Sequence, residues 1–256
     1  MAKFEFPSEY SLVSNTDLLS PEFFTGREIE LSVLRDVLNG VKIEALPSGN
    51  IDVFNEKYGG IFQSVEHPKW VIQGDKGIGK SALAIEYISK FRKEYDLIWW
   101  IPCSIESSIV ESLRQLCQRV TEKEPENLEE PFPTELNTYL SNQKRWLLIY
   151  DGLNDPKLTK YLPSEMDGHC LLTSTFFEWT DSANVMPLSA ISEKHAVELV
   201  RNYISEDDSE LISKFTKLLN RNPLSIRQAI DYTLLNEYKL NDYLESQIKG
   251  NIEYSL

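Results

Sequence analysis

The segment 70–91 reads WVIQGDKGIGKSALAIEYISKF and decides the fold. Its first four residues, Trp70 to Gln73, are a short apolar run that predicts a buried strand, and apolar residues at helical spacing predict a helix over 80–92. Between the two, Gly74 to Ser81 fits the pattern G-x-x-x-x-G-K-[ST] at every fixed position. A strand that passes through such a loop into a helix predicts a phosphate-binding loop. The plain structural alternative is a glycine turn that caps a helix and carries an incidental lysine.

Each fixed residue type has a physical role in a phosphate loop. Glycines let the backbone curl so that several N–H groups point at phosphate oxygens, and the following helix adds its dipole and unpaired amides. Lys80 would place its ammonium on the β- and γ-phosphates, and Ser81 would give its hydroxyl to Mg²⁺. The residues predicted to bind the phosphates of a nucleoside di- or triphosphate are Gly74, Asp75, Lys76, Gly77, Ile78, Gly79, Lys80, Ser81 and Ala82.

A metal-binding acid is predicted at the end of another strand. Asp151 directly follows the apolar run 146–150, at the strand end where ligands of parallel sheets gather. We predict that it holds Mg²⁺ through water and acts with Lys80 in catalysis, although a strand-ending turn is the alternative. Many hydrolysing phosphate-loop proteins carry another acid at the next position, which here is Gly152. Asp155 is a substitute candidate that turn formation explains equally well, so hydrolysis stays open.

The rest of the chain predicts an α/β domain with a parallel sheet flanked by helices, followed by a small all-helical subdomain. We assign 1–20 to an N-terminal extension, 21–188 to the α/β domain with an irregular insertion at 39–69, and 189–256 to the helical subdomain. Further strands are predicted at 97–101, 146–150, 170–173 and 185–188, and further helices at 27–38 and 106–119, with four more after Leu188.

Composition excludes several classes of function. The 256 residues carry a net charge of −14, which repels a nucleic-acid backbone, so we expect no nucleic-acid ligand. The longest apolar runs are far shorter than a membrane span, and the N-terminus lacks the pattern of a signal peptide. We therefore expect a cytoplasmic protein without a membrane partner. The three cysteines, Cys103, Cys117 and Cys170, are odd in number and match no zinc spacing, which predicts buried thiols.

Taken together, these segments resemble the signal-transducing P-loop NTPases of the STAND class, and within it the NB-ARC-like nucleotide switches. Residues 23–28, FFTGRE, resemble the hydrophobic-Gly-Arg-Glu motif of the family. The resemblance implies that Thr25, Gly26 and Arg27 fold over the adenine and ribose of ATP or ADP. A helix start capped by Thr25 or Gly26 is the alternative explanation of the same residues.

Two later segments extend the resemblance. Residues 171–175, LLTST, resemble the fourth strand and sensor of the family, which usually ends in an arginine that reaches the γ-phosphate, whereas this chain has Thr175. Residues 222–225, NPLS, resemble the Gly-x-Pro element, which implies that Pro223 packs near the adenine. Asn222 at an N-cap and Pro223 in a first turn are also a favoured helix start. The winged-helix, sensor and effector regions of the family are not seen, so we expect a nucleotide-binding core that is isolated, truncated or a partner-dependent fragment.

Three functions are compatible with these patterns. The resemblance favours an ADP/ATP-binding switch core of a signal-transduction or defence protein, with slow or absent ATP hydrolysis, nucleotide held between the two domains, and self-association or a protein partner. An active ATPase or small P-loop kinase is the first alternative, although Arg119, Arg145 and Arg201 are scattered and form no arginine-rich lid. A scaffold that keeps nucleotide only as a structural ligand is the second.

Overall fold

The computed structural model describes residues 13–16, 24–39, 69–127, 129–164, 168–179 and 183–253, with side chains described up to 247. The predicted insertion at 39–69 lies outside these residues except at its two ends, and Phe23 of the predicted FFTGRE motif lies outside them as well.

A six-stranded sheet forms the centre of the α/β part. Its strands are β1 (Val13–Ser14), β2 (Lys69–Gln73), β3 (Leu97–Pro102), β4 (Trp146–Asp151), β5 (His169–Ser174) and β6 (Asn184–Pro187). The strand order is β1-β3-β4-β5-β2-β6, and every neighbouring pair is parallel. The predicted P-loop α/β fold class is thereby confirmed, and β2 to β6 lie where the apolar runs placed them. The edge strand β1 was not predicted, because two residues carry no readable pattern.

The central residues of β2 to β5 are apolar because both faces of a parallel sheet are covered. In β3 and β4 the first five residues are all buried. The helices of this part are α1 (Glu28–Leu38), α2 (Lys80–Phe91), α3 (Glu106–Thr121) and α4 (Thr134–Ser141), with 3₁₀ turns at 92–94 and 156–161. Helix α4 was not predicted. It is eight residues long and buries only Leu136 and Leu140, which is too short a pattern to read as a helix.

The chain forms two compact units. Of the described residues, the first comprises 13–16, 29–39, 69–74 and those between Lys80 and Pro187, and the second comprises 24–28, 75–79 and 188–253. The main division therefore falls beside the predicted boundary at 188/189. Two short segments, one from the predicted FFTGRE motif and one from the phosphate loop, pack with the C-terminal helices instead of with the sheet.

Four helices make up most of the second unit. They are α5 (Glu193–Arg201), α6 (Ser209–Leu218), α7 (Pro223–Leu235) and α8 (Leu240–Glu253), and all four were predicted. Ser192, Asp208 and Asn222 are the N-caps of α5, α6 and α7, and each side chain accepts a hydrogen bond from a backbone N–H of its own first turn. The helices enclose an apolar core that includes Val200, Ile212, Phe215, Ile226 and Ile230.

The three cysteines are buried and free, as predicted. Burial raises the pKa of the Cys103 thiol to about 12, and Asp151 adds to that rise. Burial likewise raises the pKa of Cys170 to about 12. None of the helices in the described ranges combines the length and apolar character that crossing a bilayer requires.

Candidate nucleotide-binding site

The phosphate loop leaves β2 at Gly74 and enters α2 at Lys80. Gly74 extends the pairing of β2 with β5, because its N–H donates to the Ser174 carbonyl at 3.2 Å. Gly77 and Gly79 have φ values of +79° and +101°, where a side chain would be strained. A Cβ built at Gly79 would meet no atom of the described residues within 4 Å. The loop therefore has the backbone conformation that only glycine adopts readily and leaves open space beside Gly79.

The Lys80 side chain folds back over the start of the loop. It is only 9% exposed, and its Nζ donates to the Gly74 carbonyl at 2.8 Å. A buried ammonium is costly unless it is paired or hydrogen-bonded, and negatively charged phosphate oxygens would complement it. The geometry fits the role predicted for Lys80. Ala82 follows in the first turn of α2.

One carboxylate oxygen links the helix after the loop to two neighbouring strands. Asp151, the last residue of β4, accepts hydrogen bonds on Oδ1 from the Ser81 hydroxyl and from the Thr173 hydroxyl, both at 2.6 Å. Thr173 is 1% exposed, and its hydroxyl oxygen also accepts from the Gly152 N–H at 2.8 Å. Asp151 and Thr173 are register partners in β4 and β5. The sheet thus places the predicted metal-binding acid directly beside the predicted metal-binding serine.

The residues present fit Mg²⁺. Magnesium prefers oxygen ligands, keeps several waters, and is usually bound by one or two protein groups together with substrate phosphates. The Ser81 hydroxyl and the Asp151 carboxylate supply such a pair of oxygens. Among the described residues there is no cluster of three or more His, Cys, Asp or Glu side chains that would hold a metal by itself. The oxygens of Ser81 and Asp151 suit a magnesium site in which nucleotide phosphates supply further ligands.

The polar side chains of the loop after β4 form hydrogen bonds within the protein. The Asn154 side-chain oxygen accepts from the N–H and the hydroxyl of Thr175, at 2.7 and 3.0 Å. The Asp155 carboxylate accepts from the Lys157 N–H at 2.9 Å and thereby caps the 3₁₀ turn at 156–161. The capping that the sequence offered as the alternative account of Asp155 is present, and its catalytic role stays a prediction.

Arg27 lies in the second unit and has an unusual backbone. Its φ of +70° is rare for a residue with a side chain, and the residue is 5% exposed. Its Nη2 donates to the Ile78 carbonyl at 3.3 Å and to the Ser189 carbonyl at 2.6 Å. The guanidinium therefore ties the middle of the phosphate loop to the residues that precede α5.

The residues beside Arg27 are closely packed. Gly26 has a φ of +73°, and a Cβ at this position would overlap the His195 ring. The hydroxyl oxygen of Thr25 is buried and has no hydrogen-bond partner among the described residues. Buried hydroxyls normally have a hydrogen-bond partner, so the Thr25 hydroxyl is an exception among the described residues.

The start of α7 contacts the phosphate loop within the second unit. The Asn222 side-chain N–H donates to the Lys76 carbonyl at 3.0 Å, and the Leu224 N–H donates to the Gly77 carbonyl at 3.2 Å. Pro223 is the first residue of the helix and lies between these two contacts. The predicted helix start is thus present, and the adenine contact implied for Pro223 stays a prediction.

The structure brings the predicted residues into two groups, one in each unit. Gly74, Lys80, Ser81 and Asp151 belong to the first unit, whereas Thr25, Gly26, Arg27, residues 75–79 and Pro223 belong to the second. Two contacts were not predicted. Thr173 was read as part of a strand and of the sensor-like segment 171–175, and Asn222 as a helix cap within the segment that resembles the Gly-x-Pro element, and neither was assigned these hydrogen bonds.

Fold and site together define a P-loop NTPase-type domain. Residues 60–210, more than half of the chain, match the family described as the NB-ARC domain. The chain belongs to the NB-ARC domain family, which confirms the resemblance read from its motifs. No curated protein matches the chain significantly.

Three solved structures share the fold. A Walker-type ATPase of Pyrococcus abyssi is 14% identical with a TM-score of 0.56, covering 90% of this chain and 75% of that one. A STAND protein with a tetratricopeptide repeat sensor from Pyrococcus horikoshii is 16% identical with a TM-score of 0.51, and the alignment covers 81% of this chain but only 30% of that one. The Drosophila ORC bound to DNA is 13% identical with a TM-score of 0.52, over 96% and 68% of the two chains. At these identities the likeness concerns the fold.

Proposed function

We propose that this chain is the ADP/ATP-binding switch core of a signal-transduction or defence protein, and that it hydrolyses ATP slowly or not at all. The observation that carries the proposal is the hydrogen bond between the Ser81 hydroxyl and Asp151, 2.6 Å long, at the end of a phosphate loop. A hydroxyl and a carboxylate side by side at this point are what a magnesium-bound polyphosphate needs from the protein.

Each side chain has a defined part in nucleotide binding. The N–H groups of the loop and of the first turn of α2 would hold the phosphate oxygens, and the Lys80 ammonium would neutralise their charge. Ser81 and Asp151 would hold Mg²⁺, which when bound neutralises further negative charge on the phosphates. The buried hydroxyl of Thr25, which has no hydrogen-bond partner within the described ranges, supports a polar contact to the nucleoside. We take the base to be adenine because the resemblance to the NB-ARC-like switches implies ATP or ADP.

Slow hydrolysis is supported by the residues that follow Asp151. Gly152 has no side chain to orient a water, and its N–H is bonded to the Thr173 hydroxyl. Asp155 caps a 3₁₀ turn, and Asn154 holds Thr175. The polar groups closest in sequence to Asp151 therefore form hydrogen bonds within the protein.

The switch function is supported by the relatives. One protein of the same fold is described as a signal-transduction ATPase with numerous domains, of which this chain would span about a third. In such a protein the bound nucleotide shifts a conformational equilibrium only if its contacts differ between the two states. We therefore expect ADP and ATP to favour different shapes or assemblies of the protein.

The first experiment identifies the nucleotide that copurifies with the protein after release by heat. We expect ADP or ATP, and a guanine nucleotide would contradict the proposal. Steady phosphate release in the wild type, lost in Lys80→Ala, would show an active ATPase instead. Lys90→Ala is the matched control, because it removes the same charge from the exposed end of the same helix.

The second experiment separates a switch from a scaffold. Binding of ADP and of a non-hydrolysable ATP analogue is measured by calorimetry, and shape and assembly are measured by small-angle scattering and native mass spectrometry. A switch predicts that affinity and shape differ between the two ligands. Equal affinities with unchanged shape and assembly would favour a scaffold that uses nucleotide only for stability.

A further inference from the structure

Three consecutive carbonyls of the phosphate loop accept hydrogen bonds from the second unit. The Lys76 carbonyl accepts from Asn222, the Gly77 carbonyl from the Leu224 N–H, and the Ile78 carbonyl from the Arg27 guanidinium. The donor–acceptor distances are 3.0, 3.2 and 3.3 Å. All of these residues pack together as part of the second unit.

These bonds fix the direction of the amides that a phosphate would meet. A trans peptide is planar, so its C=O and N–H point in opposite directions. A carbonyl held toward the helices therefore turns the next N–H of the chain away from them. In this way the bonded carbonyls of Lys76 and Ile78 fix the N–H groups of Gly77 and Gly79. The Ile78 N–H, which follows the Gly77 carbonyl, donates to the Asp75 carbonyl at 3.3 Å within the loop. A rotation of any of these peptide planes would break a hydrogen bond to the second unit.

The Asn222 side chain makes two separate sets of hydrogen bonds where α7 contacts the phosphate loop. Its Oδ1 accepts from the Leu224 and Ser225 N–H groups at 3.1 and 3.2 Å and caps α7, while its Nδ2 donates to the Lys76 carbonyl. Gly77 lies close to the start of α7, because a Cβ built at Gly77 would lie 2.7 Å from the Leu224 Cβ and 2.9 Å from Asn222 Oδ1. The helix cap and the loop contact therefore come from opposite ends of one amide group.

We propose that Asn222 is a positioning residue that preorganises the phosphate loop, so that affinity for polyphosphate depends on the start of α7. This inference rests on the proposed nucleotide binding and names a residue through which the helical unit controls it. Coupling between sites is reciprocal, so a bound polyphosphate in turn stabilises the helical unit through the same contact. The expected target is the phosphate chain, irrespective of the base.

Two variants separate the loop contact from the cap. Asn222→Asp and Asn222→Ser both keep an oxygen that caps α7, because both residue types are favoured N-caps. Neither keeps the amide donor, and the serine hydroxyl is one bond shorter. In the absence of ligand, we expect both variants to have melting temperatures close to that of the wild type. With Mg²⁺, calorimetry should show affinities about three- to tenfold weaker for both ADP and inorganic pyrophosphate, the effect of one lost hydrogen bond.

The control is a cap in the same unit that does not contact the loop. Asp208 caps α6 through the Glu210 and Leu211 N–H groups. Asp208→Ala should lower the melting temperature and leave both affinities unchanged.

Several results would overturn the inference. Unchanged affinities in both variants would do so, and so would weakening in Asn222→Asp alone, which would indicate charge repulsion. Weaker ADP binding with unchanged pyrophosphate binding would place the effect of Asn222 at the nucleoside instead. If the wild type binds neither ADP nor pyrophosphate, the proposed function is wrong as well. If the wild type binds both and the two variants bind equally well, only the role of Asn222 is wrong.

Discussion

At the scale of single residues, the orientation of Asp151 depends on a buried threonine hydroxyl that both donates and accepts a hydrogen bond. The Thr173 hydroxyl donates to Asp151 and accepts from the Gly152 N–H, so both its donor and one acceptor position are occupied. The Ser81 and Thr173 hydroxyls donate to the same oxygen of Asp151, Oδ1, so the bond from Thr173 restrains the rotation of the carboxylate. We infer that Thr173 sets the orientation in which Asp151 meets the metal.

Replacing Thr173 by valine should weaken the metal-dependent part of nucleotide binding. The shape is preserved while the hydroxyl is lost, and the ADP dissociation constant in Mg²⁺ should rise about three- to tenfold, with little change in EDTA. Thr233→Val is the matched control, because Thr233 is a fully buried threonine that bonds the Ile230 carbonyl in the second unit. Equal losses with and without Mg²⁺ in Thr173→Val would contradict this role.

The two loop glycines should respond differently to alanine. Both have positive φ, so each substitution strains the backbone by about 1–2 kcal/mol. Alanine at Gly77 would in addition collide with Leu224 and Asn222, whereas alanine at Gly79 meets nothing within 4 Å among the described residues. We expect the free energy of unfolding without ligand, from urea titration, to fall further in Gly77→Ala than in Gly79→Ala. Equal values would show that the contact with α7 is absent in solution.

At the scale of elements, a chain of buried rings joins α2 to the start of β5. The Tyr87 and Tyr95 hydroxyls are 2.8 Å apart, and the Tyr95 hydroxyl lies 2.9 Å from Nδ1 of His169. Burial raises the pKa of Tyr87 to about 12 and raises that of Tyr95 further above its ordinary value. Burial also lowers the pKa of His169, a change that the charge of Glu94 partly offsets. Burial in the folded protein therefore favours the neutral form of this histidine.

The lowered pKa of His169 predicts that stability increases with pH. The unfolded chain takes up this proton below about pH 6.5, whereas the folded protein takes it up only at a lower pH. The stability contributed by the neutral ring is therefore complete above pH 6.5 and is lost as the pH falls toward the folded pKa. The slope from one proton is at most about 1.4 kcal/mol per pH unit.

Urea titrations between pH 5 and pH 8 measure this dependence above the range in which carboxylates titrate. His169→Gln keeps an acceptor near Tyr95 and removes the titrating ring, so its curve should be flatter than that of the wild type. Identical slopes for the two proteins would mean that the proton responsible lies elsewhere.

At the scale of the whole molecule, the residues of the phosphate loop are divided between the two compact units. The loop is continuous in sequence, but residues 75–79 pack with the helices while Gly74 and Lys80 pack with the sheet. The carbonyls of Lys76, Gly77 and Ile78 are bonded in the second unit, and Ser81 is bonded to Asp151 in the first.

The sequence predicted those parts of this arrangement that depend on local pattern. The strands β2 to β6 were readable as apolar runs, and Lys80, Ser81 and Asp151 occupy fixed places relative to a strand end. The edge strand β1 and helix α4 were missed because two and eight residues give little periodicity. The bond from Asn222 to the loop joins residues 146 positions apart, and no spacing rule relates them. Such contacts are determined by tertiary packing.

Calorimetric titration of the wild type with ADP in the presence of Mg²⁺ tests the central claim most directly. We expect saturable binding at one site, and about ten- to a hundredfold weaker binding in Lys80→Ala, because a charged contact to the phosphates is lost. Lys90→Ala should bind as the wild type does. If no nucleoside di- or triphosphate produces binding heat in the wild type, the phosphate loop does not hold a nucleotide and the proposed switch is wrong.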